Sequence, residues 1–139
     1  MVEARTDDRG QAHIVAVLAI AIAAVAITGL RAAQERILDQ ERIRRAGEAS
    51  VEAATAVVAD AYVAANAMPS PLPGDIARAV LDPRTRERAH AAALAMSAAN
   101  GGLAFDGPEV GCSSRGVDVK ITVAGRVYRA GFDGSCSPR

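Results

Sequence analysis

Few residues in this chain are of types that do chemistry, and their spacing gives them little to do. His13 and His90 lie in different segments, and neither has a metal-ligand neighbour at short spacing. The two cysteines, Cys112 and Cys136, are too far apart to make a zinc site by themselves. Ser113 and Ser114 follow Gly111-Cys112 without the pattern of a nucleophile elbow. Gly101-Gly102 lacks the downstream Gly-Lys-Ser/Thr of a phosphate-binding loop. Arg84, Arg86 and Arg88 could touch phosphate or lipid headgroups, but alternate residues on a helix point in different directions, so they read as a solvated helix start. The expectation is a protein that is not an enzyme, with no catalytic residue, cofactor or metal.

The chemistry that remains is a covalent cross-link. Val117, Val119, Ile121 and Val123 alternate with Asp118, Lys120 and Thr122, the period of a half-buried strand. Ala124-Gly125-Arg126 reads as a turn and Val127–Phe132 as a second strand, giving a C-terminal β-hairpin. Cys112 precedes the first of these strands and Cys136 follows the second, so the hairpin brings them to one end. A Cys112–Cys136 disulfide is the favoured reading, and two separate buried thiols are the alternative. Two strands alone are marginal in water, so the apolar face of the hairpin needs a helix to cover.

The helices are legible from composition. The chain has 139 residues, room for one small domain, and half are hydrophobic although only 3% are aromatic. Sixteen basic and sixteen acidic side chains cancel, which argues against nucleic acid as a partner. High hydrophobicity with no net charge also argues against disorder. About a quarter of the residues are Ala, which bury little area each, so the apolar content is not there to fill a large globule.

That apolar content is concentrated near the start. Gln11–Leu30 carries no charge, and Ile14, Val15, Leu18, Ile20, Ile22, Val25, Ile27 and Leu30 lie on all sides of a helix. A helix of 20 residues is about 30 Å long, the thickness of the hydrocarbon core. A chain this small cannot surround such a helix, so a membrane span is expected. A secretory signal peptide is disfavoured by the three acids among the first ten residues and by the length of the run. A soluble core helix is the other competitor.

From Arg31 to Met68 there is one Gly and no Pro, and strong helix formers dominate. Ala46, Ala49, Ala53, Val57, Ala61, Ala64 and Met68 recur at helical spacing, widened by Val58, Tyr62 and Ala65. The spacing predicts one helix from about Ala12 to Ala67, first apolar and then amphipathic, with a solvated charged face. Pro69-Ser70-Pro71-Leu72-Pro73-Gly74 ends it. A short helix is predicted over Asp75–Leu81. A further helix follows over Pro83–Ala99, capped by Asp82, with Ala89, Ala92, Ala93 and Met96 on one face and Asn100-Gly101-Gly102 as its stop. The fold class is therefore α+β.

Two rules disagree about topology. Arg31, Arg36, Arg42, Arg44 and Arg45 follow the apolar run, whereas only Arg5 and Arg9 precede it, so positive-inside counting places the C-terminal side in the cytoplasm. A disulfide requires an oxidising compartment and places it outside. We give the cysteine pair the greater weight.

A charged leader ending in Gly, an apolar run continuing into a long amphipathic helix, and a small α/β cap resemble type IV pilin-like proteins. More narrowly, Arg9-Gly10-Gln11-Ala12, the Ala-rich AHAAALAMSAANGG and the strand VDVKITV are similar to TadE/TadG-like proteins of the tight-adherence (Flp) pilus system. The resemblance covers most of the chain, and its specific part is the RGQA start. It implies a pilin-like layout: leader 1–10, transmembrane segment 11–30, amphipathic continuation 31–68 and extracytoplasmic cap 69–139. It also implies prepilin-peptidase cleavage between Gly10 and Gln11. The partners would be other pilin-like subunits, membrane assembly proteins and lipid, with no small-molecule substrate. The site would be the cell membrane, with a single span, or a pilus outside the cell. The family often carries Glu at the fifth mature position, where Val15 stands here. That departure points to a minor or initiating subunit, or to an assembly-associated protein that stays in the membrane. A signal-anchored envelope protein with a disulfide-closed binding module is the alternative.

Overall fold

The computed structural model describes residues 8–69, 72 and 74–136, with the backbone alone for 8–12. Residues 1–7, 70, 71, 73 and 137–139 lie outside the described set. Helix α1 spans Asp8–Asn66, α2 spans Asp75–Leu81 and α3 spans Pro83–Ala99. Three strands follow: β1 over Phe105–Cys112, β2 over Val117–Val123 and β3 over Arg126–Phe132. The chain divides into two compact units between Asp39 and Gln40. The second unit, from Gln40 on, holds the last part of α1 and every other element.

Local punctuation sets α2 and α3. The Asp82 carboxylate accepts from the Arg84 N–H at 2.7 Å, and Pro83 occupies the first helical position, where no N–H is needed. At the far end Gly101 and Gly102 take positive φ, and the Gly102 N–H donates to the Ser97 carbonyl at 2.9 Å. Both helices run over the residues that composition marks out.

The C-terminal hairpin is present as β2 and β3, but it belongs to a larger sheet. The order is β1-β2-β3, all antiparallel. Cys112 therefore does not precede the first strand; it is the last residue of β1. The sequence FDGPEVGC hides this strand, because Gly and Pro read as turn residues. The register slips between Asp106 and Glu109, at Gly107-Pro108, and this bulge accommodates the proline.

Ala124 and Gly125 form a two-residue turn with φ of 48° and 76°. Positive φ at both positions suits a type I′ hairpin, but a β-carbon at the first makes it costly. Ala124→Asn is expected to stabilise the fold by about 0.5 kcal/mol, because Asn tolerates this region better. Urea titration of the full chain in detergent measures it.

The core lies between the sheet and the helices. On β2, Val117, Val119, Ile121 and Val123 are all buried, as their alternation predicts. Ala46, Val51, Ala54 and Val58 of α1 join them, with Val80 of α2 and Ala89 and Ala93 of α3. The buried face of α1 overlaps the predicted one at Ala46, Val58 and Ala65 but is rotated from it elsewhere. It is centred on Ala46, Ser50, Ala54 and Val58, whereas Ala64 and Met68 are exposed. Ser50 is drawn inside because its hydroxyl donates to the Ala93 carbonyl at 3.1 Å, tying α1 to α3. On α3, Ser97 is buried and donates to the Leu103 carbonyl at 2.7 Å, whereas Met96 faces solvent.

Candidate functional site

The first unit is described by itself. From His13 to Leu30 the helix contains no charged residue, and one 18-residue window reaches a mean hydropathy of 2.5 with none of it buried. Ile14, Val15, Leu18, Ile20, Ile22, Val25, Ile27 and Leu30 are all more than half exposed. This is the opposite of a soluble core helix, which buries such side chains within its own fold. The segment is a candidate membrane anchor. Its one hydroxyl is compatible with lipid, because Thr28 Oγ1 donates within the helix to the carbonyls of Ala24 and Val25, each 3.0 Å away. Transfer of the eight large side chains from water to hydrocarbon is worth on the order of 10 kcal/mol.

Two features of this helix escaped the sequence reading. Ala16, Ala19, Ala23 and Ala26 recur at alternating spacings of three and four, so one exposed face is made of small residues. Small faces let helix backbones approach closely in lipid. Ile37 and Leu38 are 59% and 65% exposed and lie beyond Arg31, past the uncharged run. Gly10 and Gln11, the implied cleavage pair, fall in the first turns of α1.

In the second unit the cysteines are joined. The Cys112–Cys136 disulfide has a Cα–Cα distance of 5.8 Å, within the usual range for such bridges. It connects the end of β1 to the tail after β3. The Cys136 N–H also donates to the Ser113 carbonyl at 3.0 Å. The tail from Asp133 to Cys136 thus passes the N-terminal end of β2 and links the two outer strands. Tyr62 of α1 meets Phe132 edge-to-face, with ring centroids 5.3 Å apart.

The other residues singled out from the sequence have structural duties. The Ser113 hydroxyl donates to the Gly116 carbonyl at 3.0 Å and accepts from the N–H groups of Arg115 and Gly116. It holds the β1–β2 turn. His90 Nδ1 lies 2.7 Å from the Gly107 carbonyl, which makes that nitrogen the protonated donor, and its ring stacks at 4.9 Å on Phe105. His90 lines an open cleft of about 350 Å³ with Pro83, Arg86, Glu87, Gly107 and Pro108. Arg44 pairs with Glu41 and Glu48 on the exposed face of α1, contacts worth tenths of a kcal/mol. Among the described residues, no group of three or more His, Cys, Asp or Glu could hold a metal ion.

Comparison with protein-family models, with curated proteins and with solved structures gives no match. The functional reading therefore rests on this chain's own residues.

Proposed function

We propose that this chain is a pilin-like component, a minor pilin or pseudopilin, of a tight-adherence-type pilus or a related secretion machine. It acts by assembly through its N-terminal helix. The observation that carries the reading is an apolar helix with no buried surface in its own fold, in the same chain as a small cap closed by a disulfide. Lipid accounts for the segment up to Leu30. Ile37 and Leu38 lie past it, and a neighbouring helix would cover them. The alanine face at positions 16, 19, 23 and 26 suits packing against such a neighbour. Both features favour assembly over a solitary anchor. The cap lies outside the cytoplasm in this reading, where the disulfide persists.

Three measurements on protein from its native host test the proposal. Alkaline extraction is expected to leave the chain in the membrane pellet, and detergent is expected to release it. Intact mass is expected to begin at Gln11, and cross-linking is expected to capture like subunits. A chain beginning at Met1 and free of pilin-like partners would favour the signal-anchored envelope protein. A chain soluble without detergent would sink both readings.

A further inference from the structure

The sheet has two edges, and the fold treats them differently. The β1 edge is guarded. Its register slips at Gly107-Pro108, and Pro108 has no N–H to offer. The Gly107 carbonyl is taken by His90. At the far end the disulfide holds Cys136 against Cys112. The β3 edge has none of these devices. Its seven residues keep an unbroken register with β2, from Val117↔Phe132 to Val123↔Arg126.

The direction of the free backbone groups follows from the turn. A two-residue turn closes on a hydrogen-bonded pair, here Val123 and Arg126. Alternation then aims the N–H and C=O groups of residues 126, 128, 130 and 132 at β2. Those of Val127, Arg129 and Gly131 aim outward. The Ala124 N–H obeys the same parity, donating at 3.3 Å to the Ala104 carbonyl on the opposite side of β2. Among the described residues, no strand pairs with the outer side of β3.

Charge says what would pair there. Glu109, Lys120 and Arg129 form one row across the solvent face. The Lys120 ammonium lies 2.8 Å from the Glu109 carboxylate. Arg129 stands opposite that lysine, a like-charge pair that costs stability. The nearest acid on the same face of β2, Asp118, stands opposite Gly131 rather than Arg129, so a carboxylate on the outer side of Arg129 would offset the repulsion. Arg126 adds a second positive charge to β3, and β3 contains no acid. A second copy fits poorly. Antiparallel β3–β3 pairing about Arg129 sets that arginine against its own copy, and the β1 edge of a second copy is guarded.

We propose that β3 is a docking edge for an extended acidic segment of a partner polypeptide, which adds a fourth strand with a carboxylate beside Arg129. Main-chain hydrogen bonds to Val127, Arg129 and Gly131 supply affinity, and the carboxylate supplies selectivity. This inference stands apart from the assembly reading, because it concerns the cap alone.

Amide exchange in the full chain, held in detergent micelles, tests it with two blocked octapeptides. One alternates Val with Glu, and the other alternates Val with Lys. At saturation the Glu peptide is expected to slow exchange at Val127, Arg129 and Gly131 by about tenfold or more. Tyr128 and Ala130, already bonded to β2, should not change, and they report an intact hairpin. The Lys peptide should have no effect. Arg129→Glu is expected to reverse the preference. Arg129→Pro removes an outward N–H without touching the β2 ladder and is expected to abolish the response. An equal response to both peptides, or none to the Glu peptide, would overturn the proposal. So would protection of the same amides that rises with protein concentration alone, because the occupant would then be a second copy.

Discussion

Loss of the Cys112–Cys136 bridge is expected to lower the stability of the cap by about 3.5 kcal/mol, on the chain-entropy estimate for a loop of this length. For a unit of about a hundred residues this corresponds to roughly 15–25 °C in Tm. The estimate is large because of what the bridge holds. Residues 133–136 have no strand of their own, and their anchors include the disulfide, the Cys136 N–H bond to Ser113 and Tyr62 beside Gly134. Cys136 is also nearly buried, at 9% exposure, and belongs to the core with Val58 and Val117. Releasing it frees the end of β3 and opens one end of that core. The test is thermal unfolding of the full chain in detergent, comparing wild type with the Cys112→Ser/Cys136→Ser double variant. Both tyrosines of the chain, Tyr62 and Tyr128, lie in the second unit, from Gln40 on, so near-UV circular dichroism reports this unit. An unchanged Tm would show that the bridge contributes nothing to the stability of this unit.

The second large effect is expected at Gly47. Helix propensity alone predicts that Gly47→Ala stabilises α1 by up to about 1 kcal/mol. The tertiary structure predicts the opposite sign. A β-carbon at Gly47 would fall on the ring of Tyr128, far inside contact distance. That ring sits against α1 at Gly47, and its hydroxyl donates to the Ile43 carbonyl at 3.2 Å. An aromatic ring cannot flex aside as a lysine can. It must move as a whole and give up the hydrogen bond, and β3 must move with it. A net destabilisation of about 2 kcal/mol is expected, the overpacking cost less the propensity gain. Tyr128→Ala removes the obstacle, so Gly47→Ala in that background should be neutral or stabilising. A double-mutant cycle by urea unfolding separates these outcomes. A stabilising Gly47→Ala single variant would show that the ring does not pack on the helix in this way.

The Tyr128–Gly47 contact shows where sequence reasoning stops. The residues lie 81 positions apart, and nothing local to either announces the other. Gly47 alone reads as a weak point in a helix, and Tyr128 as one more strand aromatic. The buried face of α1 was only partly placed from sequence, for a related reason. Between Ala46 and Ala65 alanine occurs on almost every side of the helix, so more than one face fits the apolar spacing. The structure selects the face that carries Ser50, because Ser50 finds a carbonyl on α3. Met96 and Ser97 exchange roles likewise. A hydroxyl with a buried acceptor is better inside than a thioether without a cavity to fill.

By itself the sequence determined the features whose causes are local. Proline, glycine and a capping aspartate bound α2 and α3. Alternation marks β2 and its buried side. An uncharged run of helix length marks α1 as a candidate anchor before any fold is known, because its apolar surface exceeds what a chain this small can cover. Only the tertiary structure decided the rest. β1 is a strand because residues 118, 120 and 122 of β2 aim their backbone groups at that side, and buried backbone groups require partners. No propensity in FDGPEVGC asks for it. The rotation of α1, the seat of Tyr128 and the difference between a guarded and an open sheet edge have the same origin. They are settled by which surfaces meet, and that is a property of the assembled core.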